Sequence, residues 1–306
     1  MNIKPHHFNS KLLLFGEYGL MFNAMALSLP FSRFYGSLEY DPSGENKKST
    51  AEIRKLYTYL SSLEETKLHY PLHLKAMRQD LDQGLYFNST IPLQYGLGSS
   101  GALVAALFSR YSLSPSDNDS VSLDLLKADF ALLESFFHGK SSGLDPLTSF
   151  MNRPLLLDSK KKVQPCALNL GHTGWAFALM DTRTTGATGP LVKHFIESMK
   201  VDDFKTAFHA NYIPANNGCI KALLKGEKPS FFAALDQLIE FELQYLKQMF
   251  PMNFRALIKQ ALNEKVYIKL LGSGGGGYLL AIAPSEELLA NWAESKDIPL
   301  INVSSR

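Results

Sequence analysis

The chain has 306 residues, 45% of them hydrophobic and 20% charged, a globular mixture that excludes a low-complexity or disordered polypeptide. Its 31 basic and 29 acidic residues give a formal charge of +2, which excludes the basic footprint of a nucleic-acid-binding surface. The two cysteines, Cys166 and Cys219, exclude a disulfide framework, and nothing near either has zinc-ligand spacing.

In chain order, Lys11 to Phe15 (KLLLF) predicts a buried strand that opens into Gly16-Glu17-Tyr18-Gly19. Gly19 to Phe31 imitates a signal-peptide core, but Lys11 and Glu17 lie just upstream and Asn23 interrupts it. It also falls short of the roughly 20 apolar residues that span a bilayer. The reading is therefore a cytoplasmic protein with free thiols and no membrane partner. Gly84 to Leu93 predicts a strand, Ser100 to Tyr111 a short helix and Ser122 to Phe137 a longer one. The longer helix carries Leu126, Phe130, Leu133 and Phe137 as an apolar stripe at spacings of three and four. His138 to Phe150 reads as a loop leading into another element. Lys160-Lys161-Lys162 reads as a solvated turn.

Beyond the polar segment Asp158 to Gln164, Trp175 to Met180 predicts a strand, Pro190 to Met199 a helix, and Phe231 to Phe250 a long helix stopped by Pro251. Val266 to Leu271 and Tyr278 to Ile282 predict two strands around the run Gly272-Ser273-Gly274-Gly275-Gly276-Gly277. At about 150 residues per domain the length predicts two domains, with a boundary near residue 170: 1–170 and 171–306. Sequence alone leaves monomer and homodimer equally open.

Gly96-Leu97-Gly98-Ser99-Ser100-Gly101 stands directly before a helix. A helix start presents unpaired N–H groups and the positive end of the peptide dipoles. Glycines let the main chain approach a bulky anion, and serines add hydroxyls, which is the logic of a phosphate cradle. No Walker A motif occurs. Gly272, Gly274 and Gly277 match G-x-G-x-x-G, but a dinucleotide fold needs a helix after that run and here a strand follows.

Glu134 continues the apolar stripe of its helix, and a buried carboxylate must be paired, protonated or metal-bound. Asp145 follows in HGKSSGLDPL, where Gly139 and Gly143 bracket two serines and hold it on a tight turn. His138, beside a glycine, reads as a structural helix end.

With these residues in view, the chain resembles the GHMP kinases, the superfamily of galactokinase, homoserine kinase, mevalonate kinase and phosphomevalonate kinase. The motifs that carry the resemblance stand in order: KLLLFGEYGLMFNAMAL from Lys11, PLQYGLGSSGALVAAL from Pro92 and IKLLGSGGGGYLLAI from Ile268. A GYDIA-type bacterial branch of the family is also similar, with Gly143 to Leu147 in the place of its signature. The resemblance implies an α+β fold of two domains, the N-terminal one like domain 2 of ribosomal protein S5 and the C-terminal one ferredoxin-like. It implies ATP and Mg²⁺ as cofactors and a small-molecule alcohol as partner. Gly96, Leu97, Gly98, Ser99, Ser100 and Gly101 would wrap the phosphates, and Ser100 and Glu134 would hold Mg²⁺. Asp145 would take the acceptor proton with Lys11 beside it. Glu17, Tyr18, Thr188, Gly274 and Gly275 would face the acceptor.

The leading acceptor is mevalonate and the runner-up phosphomevalonate. Mevalonate kinases usually carry histidine where this chain has Tyr18, and an arginine where it has Gly186; Arg183 is the nearby cation. A sensor without turnover and an ATP-dependent decarboxylase are the remaining alternatives.

Overall fold

The computed structural model describes residues 6–63, 67–113, 122–186 and 188–303. Two strands come first: β1 (Phe8–Phe15) and β2 (Ala26–Tyr40). Contacts divide the chain into two compact units, Met1–Lys11 with Leu29–Pro92 and Gly98–Arg153, and Leu12–Ser28 with Leu93–Leu97 and Pro154–Arg306. Both strands pass from one unit into the other. The division at 153/154, and the transfer of 12–28 and 93–97 to the second unit, differ from a single boundary near residue 170.

In the first unit follow α1 (Lys47–Ser62), α2 (Leu74–Asp82), β3 (Leu85–Ser89), α3 (Ser99–Tyr111), α4 (Leu123–His138) and α5 (Leu144–Met151). β3 runs antiparallel to the end of β2, from Gly36 opposite Ser89 to Tyr40 opposite Leu85. The alanine- and leucine-rich α3 buries every residue from Gly101 to Phe108, as a helix apolar all round must. Its Phe108 meets Phe130 of α4 at 4.8 Å and Phe150 of α5 at 5.6 Å. These rings lock the three helices that carry the candidate site.

The second unit contains a short hairpin of β4 (Leu155–Leu157) and β5 (Val163–Pro165), with β4 pairing Ala26–Ser28 of β2. Lys160 and Lys162 lie exposed in its turn, each donating its N–H to Asp158. Then come β6 (Ala176–Asp181), α6 (Thr188–Ser198), α7 (Asp202–Ala207), a π-helical turn at Phe208–Tyr212, α8 (Ile213–Lys225) and α9 (Lys228–Tyr245). The unit ends with α10 (Arg255–Asn263), β7 (Tyr267–Leu270), β8 (Tyr278–Ala283), α11 (Glu286–Ser295) and β9 (Leu300–Asn302). Four strands form an antiparallel sheet in the order β7-β8-β6-β9. Every residue of β7 and β8 is buried, and Phe231 of α9 stacks on Trp175 at 4.7 Å.

The fold is α+β. The glycine run between β7 and β8 joins two strands, as its flanking sequence predicts. Gly19 to Phe31 becomes a 3₁₀ turn (Gly19–Phe22) and the start of β2. Cys166 and Cys219 are free. No helix among the described residues is long and apolar enough to cross a membrane.

Candidate active site

In the first unit, β1 carries Lys11, whose side chain is almost wholly buried while its Nζ lies 2.9 Å from Oδ2 of Asp145. Asp145 keeps 29% of its side chain exposed, so the pair has one buried and one accessible member. The structure moves Asp145 off the predicted loop turn and into the first turn of α5. The residue before that helix, Gly143, has φ 72°, and a Cβ there would overlap the Lys127 carbonyl oxygen and lie 2.7 Å from the Ala131 nitrogen. Glycine is what lets α5 begin against the flank of α4. Gly101 of α3 lies against the same turn, its Cα so near that a Cβ would stand 2.9 Å from the Pro146 nitrogen.

Glu134 of α4 is buried. Ser100 Oγ donates to its Oε1 at 3.2 Å, and Ser141 Oγ donates to Oε2. Ser100 Oγ also lies 2.9 Å from Nε2 of His138. Burial, and then the negative charge of Asp145, push the Glu134 carboxyl up to about 7; the serine hydrogen bonds and the Lys11 charge oppose them. Burial likewise lowers the basicity of His138. A desolvated carboxyl beside another carboxylate, surrounded by hydroxyl oxygens, is a donor set that a hard cation such as Mg²⁺ would relieve. Among the described residues no group of three or more His, Cys, Asp or Glu could hold a metal ion. A Mg²⁺ carried with nucleotide needs only one or two protein oxygens beside phosphate and water.

The start of α3 has no side-chain cap, whereas Ser122 caps α4 and Ser285 caps α11. The N–H groups of Ser99, Ser100 and Gly101 lie in that uncapped first turn. Gly98 takes the N-cap with φ 72°, and a Cβ on it would come within 2.7 Å of Lys11 Cγ. The lysine stem therefore runs along the loop backbone. Leu97 is buried, so it offers an anion only its main chain.

The remaining predicted residues belong to the second unit. Glu17 is 2% exposed, and its carboxylate meets Lys269 Nζ at 2.6 Å. Tyr18 holds φ 56°, donates its hydroxyl to the Ser273 carbonyl at 2.6 Å and stacks on Phe195 at 4.4 Å. The backbones of Gly274 and Gly275 pack on Met249, whose carbonyl accepts from Gly275 N–H. Gly96 runs beside the Leu271 carbonyl, and Gly186 N–H donates to the Gln94 carbonyl at 3.2 Å. Thr188 begins α6, and its side chain lies outside the described residues.

No protein-family model matches the chain. Its sequence is 25% identical to a mevalonate kinase of Pyrococcus horikoshii, over 91% of this chain and 88% of that one. Its fold matches L. major mevalonate kinase, solved with R-mevalonate, with a TM-score of 0.66 and 17% identity over 99% of this chain and 96% of that one. Streptococcus pneumoniae phosphomevalonate kinase matches with a TM-score of 0.66 and 16% identity over 97% of both chains. In sequence and in fold the chain is similar to kinases of the GHMP superfamily.

In this chain the structure brings Lys11 to Asp145 and Ser100 to Glu134. Two further contacts at that site escape a reading of the sequence, which gives His138 only as a structural helix end. His138 touches Ser100, and Ser141 holds Glu134. Their signal is spacing alone: His138 lies four residues and Ser141 seven beyond Glu134. Gly186 is a finding of the opposite kind, since a Cβ there would stand 2.8 Å from the Gly274 carbonyl oxygen. No arginine fits at that position without moving the glycine loop.

Proposed function

We propose that this GHMP kinase transfers the γ-phosphoryl group of ATP to an alcohol, with mevalonate as the leading acceptor. The observation that carries this reading is the Lys11–Asp145 pair at 2.9 Å, set beside the uncapped start of α3. Phosphoryl transfer asks mainly for positioning and charge stabilisation. Asp145 accepts the proton of the acceptor hydroxyl as its oxygen bonds to the γ-phosphorus. The bond from that phosphorus to the β–γ bridging oxygen breaks, and ADP leaves. Lys11 steadies the ionised Asp145 and the charge developing on the phosphoryl oxygens.

The N–H groups of Ser99, Ser100 and Gly101, with the backbone of Gly96 to Gly98, bind the phosphates. Ser100 and Glu134 would hold Mg²⁺, which would supply positive charge to offset that of the phosphoryl groups. Glu17, Tyr18, Thr188, Gly274 and Gly275 shape the acceptor site, and the reaction takes place in the cytoplasm.

The match to the Pyrococcus horikoshii mevalonate kinase, which runs along most of both chains, favours mevalonate. The likeness to a phosphomevalonate kinase makes the phosphorylated acid the runner-up. The test is a coupled ADP-release screen with mevalonate, phosphomevalonate, homoserine and several sugars. Mevalonate-dependent ADP release without CO₂ supports the reading. Release of CO₂ points to a decarboxylase, and binding without turnover across the panel points to a sensor.

A further inference from the structure

Glu242 lies on α9 in the row of Leu235, Leu238 and Ile239 that faces the interior, and it is fully buried. Every element packed around it belongs to the second unit. β7 brings Lys269, the turn after β1 brings Glu17 and Tyr18, the π-helical turn brings Tyr212, and α8 brings Cys219. α10 turns only Ile258 and Ala261 inward. Burial keeps the Tyr212 hydroxyl and the Cys219 thiol protonated, so the charge balance rests on two carboxyls and one ammonium.

Lys269 Nζ meets Glu17 Oε1 at 2.6 Å and also donates to the Leu270 carbonyl. Glu242 Oε2 accepts from the Leu270 N–H at 3.1 Å, while its Oε1 has no partner. Leu270 is thus held at both its N–H and its carbonyl, two residues ahead of the Gly272–Gly277 loop. Tyr18 holds the same loop at Ser273, and Thr184 holds it at Gly277, whose N–H donates to the Thr184 carbonyl at 2.6 Å.

We propose that Glu242 is a positioning residue: its carboxyl, locked against the Leu270 peptide, sets the path of the Gly272–Gly277 backbone on which acceptor binding depends. The link to acceptor binding rests on the kinase reading; the hold on the loop does not.

One lysine cannot neutralise two buried carboxylates, and an unpaired charge at this depth is strongly destabilising. The arrangement balances when Glu17 is ionised and Glu242 keeps its proton. Burial pushes the Glu242 carboxyl up to about 8, the Lys269 charge opposing and the Glu17 charge adding. Below that pH the hold on Leu270 is neutral and stable. Above it a second negative charge appears beside Glu17 and the loop loosens.

The test uses the full chain with Glu242→Gln and Glu242→Ala. Amide hydrogen exchange over residues 266–280 and the KM values for mevalonate and ATP are followed across pH. Gln retains an oxygen for Leu270 and cannot ionise. It should match the wild type near neutrality and keep both loop protection and acceptor KM above about pH 8, where the wild type loses them. Comparing the two proteins at each pH cancels the intrinsic pH dependence of exchange.

Ala should speed exchange and raise the acceptor KM about tenfold with the ATP KM unchanged, the size expected for one orphaned buried donor. Unchanged exchange and KM in the Ala variant would overturn the proposal. So would a wild type that tracks Glu242→Gln at every pH. Should Ala fail to fold, the Gln comparison decides alone. If no acceptor is turned over by the wild type, the kinase reading fails while the exchange data still judge the loop.

Discussion

Asp145 and Glu134 are two carboxyls of one small region with opposite needs. Asp145 is partly exposed and tied to Lys11, the placement that the proposed transfer asks of its base. Replacing it by Asn keeps the shape and removes the base. We expect kcat to fall at least about a hundredfold, the low end for acid–base groups, with nucleotide binding intact by calorimetry; full turnover in a folded Asp145→Asn protein would remove Asp145 from the chemistry.

Glu134 is buried and its carboxyl is raised to about 7. A raised folded-state value stabilises the protein fully below the carboxyl's ordinary range near 4.5, and that contribution is lost as pH rises through about 7. Glu134→Gln should therefore unfold at higher urea than wild type at alkaline pH, by about 1–3 kcal/mol, with the gap closing in acid. It should also abolish Mg²⁺-dependent turnover. Equal stability of the two proteins at both pH extremes would contradict the burial argument.

Both carboxyls were legible in the sequence, one as an interruption of an apolar stripe and the other between glycines. Glu242 interrupts the stripe of α9 in the same way and was equally open to that reasoning. Ser141 was not, because nothing in a local pattern says which polar residue of a loop turns inward, and the contact of His138 with Ser100 joins the end of α4 to a residue 38 positions away.

Among the elements, α3, α4, β6 and the β7–β8 pair follow from apolar period and glycine punctuation. β2 did not, because Pro30 and Gly36 interrupt its run of 15 residues and mask the alternation that marks a strand. The π-helical turn escaped as well. Its Tyr212 hydroxyl donates to the Glu17 carbonyl at 2.6 Å, a tertiary bond between residues 195 apart in sequence. The sharpest test at this scale is the start of α5. Gly143→Ala would place a methyl group on the Lys127 carbonyl at a left-handed backbone position. Strain and overlap together should cost about 2–4 kcal/mol in denaturant unfolding. Because α5 carries Asp145, kcat should drop more than the KM for ATP rises. A variant as stable and as active as the wild type would mean that α5 does not need its close approach to α4.

At the scale of the whole molecule, the sequence shows two bodies of structure but not how the chain is shared between them. A composition break can mark where one segment ends; it cannot reveal that 12–28 and 93–97 cluster with residues far downstream. The run from Gly96 to Gly101 itself is divided by that assignment between Leu97 and Gly98. A ligand that binds only the folded chain stabilises it by mass action. A Mg²⁺-bound nonhydrolysable ATP analogue at about a hundred times its Kd should contribute about 2.7 kcal/mol, a rise of about 4 °C in Tm for a chain of this size. AMP lacks the β- and γ-phosphates and should give almost none of it. On the proposed mechanism Asp145→Asn should keep the full rise, whereas Glu134→Gln should lose the part that depends on Mg²⁺. Hydrogen exchange with the analogue bound should slow over 98–104 and 143–148, where the uncapped helix and the Asp145 turn lie. A triphosphate that neither raises Tm nor slows exchange there would dissolve the nucleotide site, and the catalytic assignment with it.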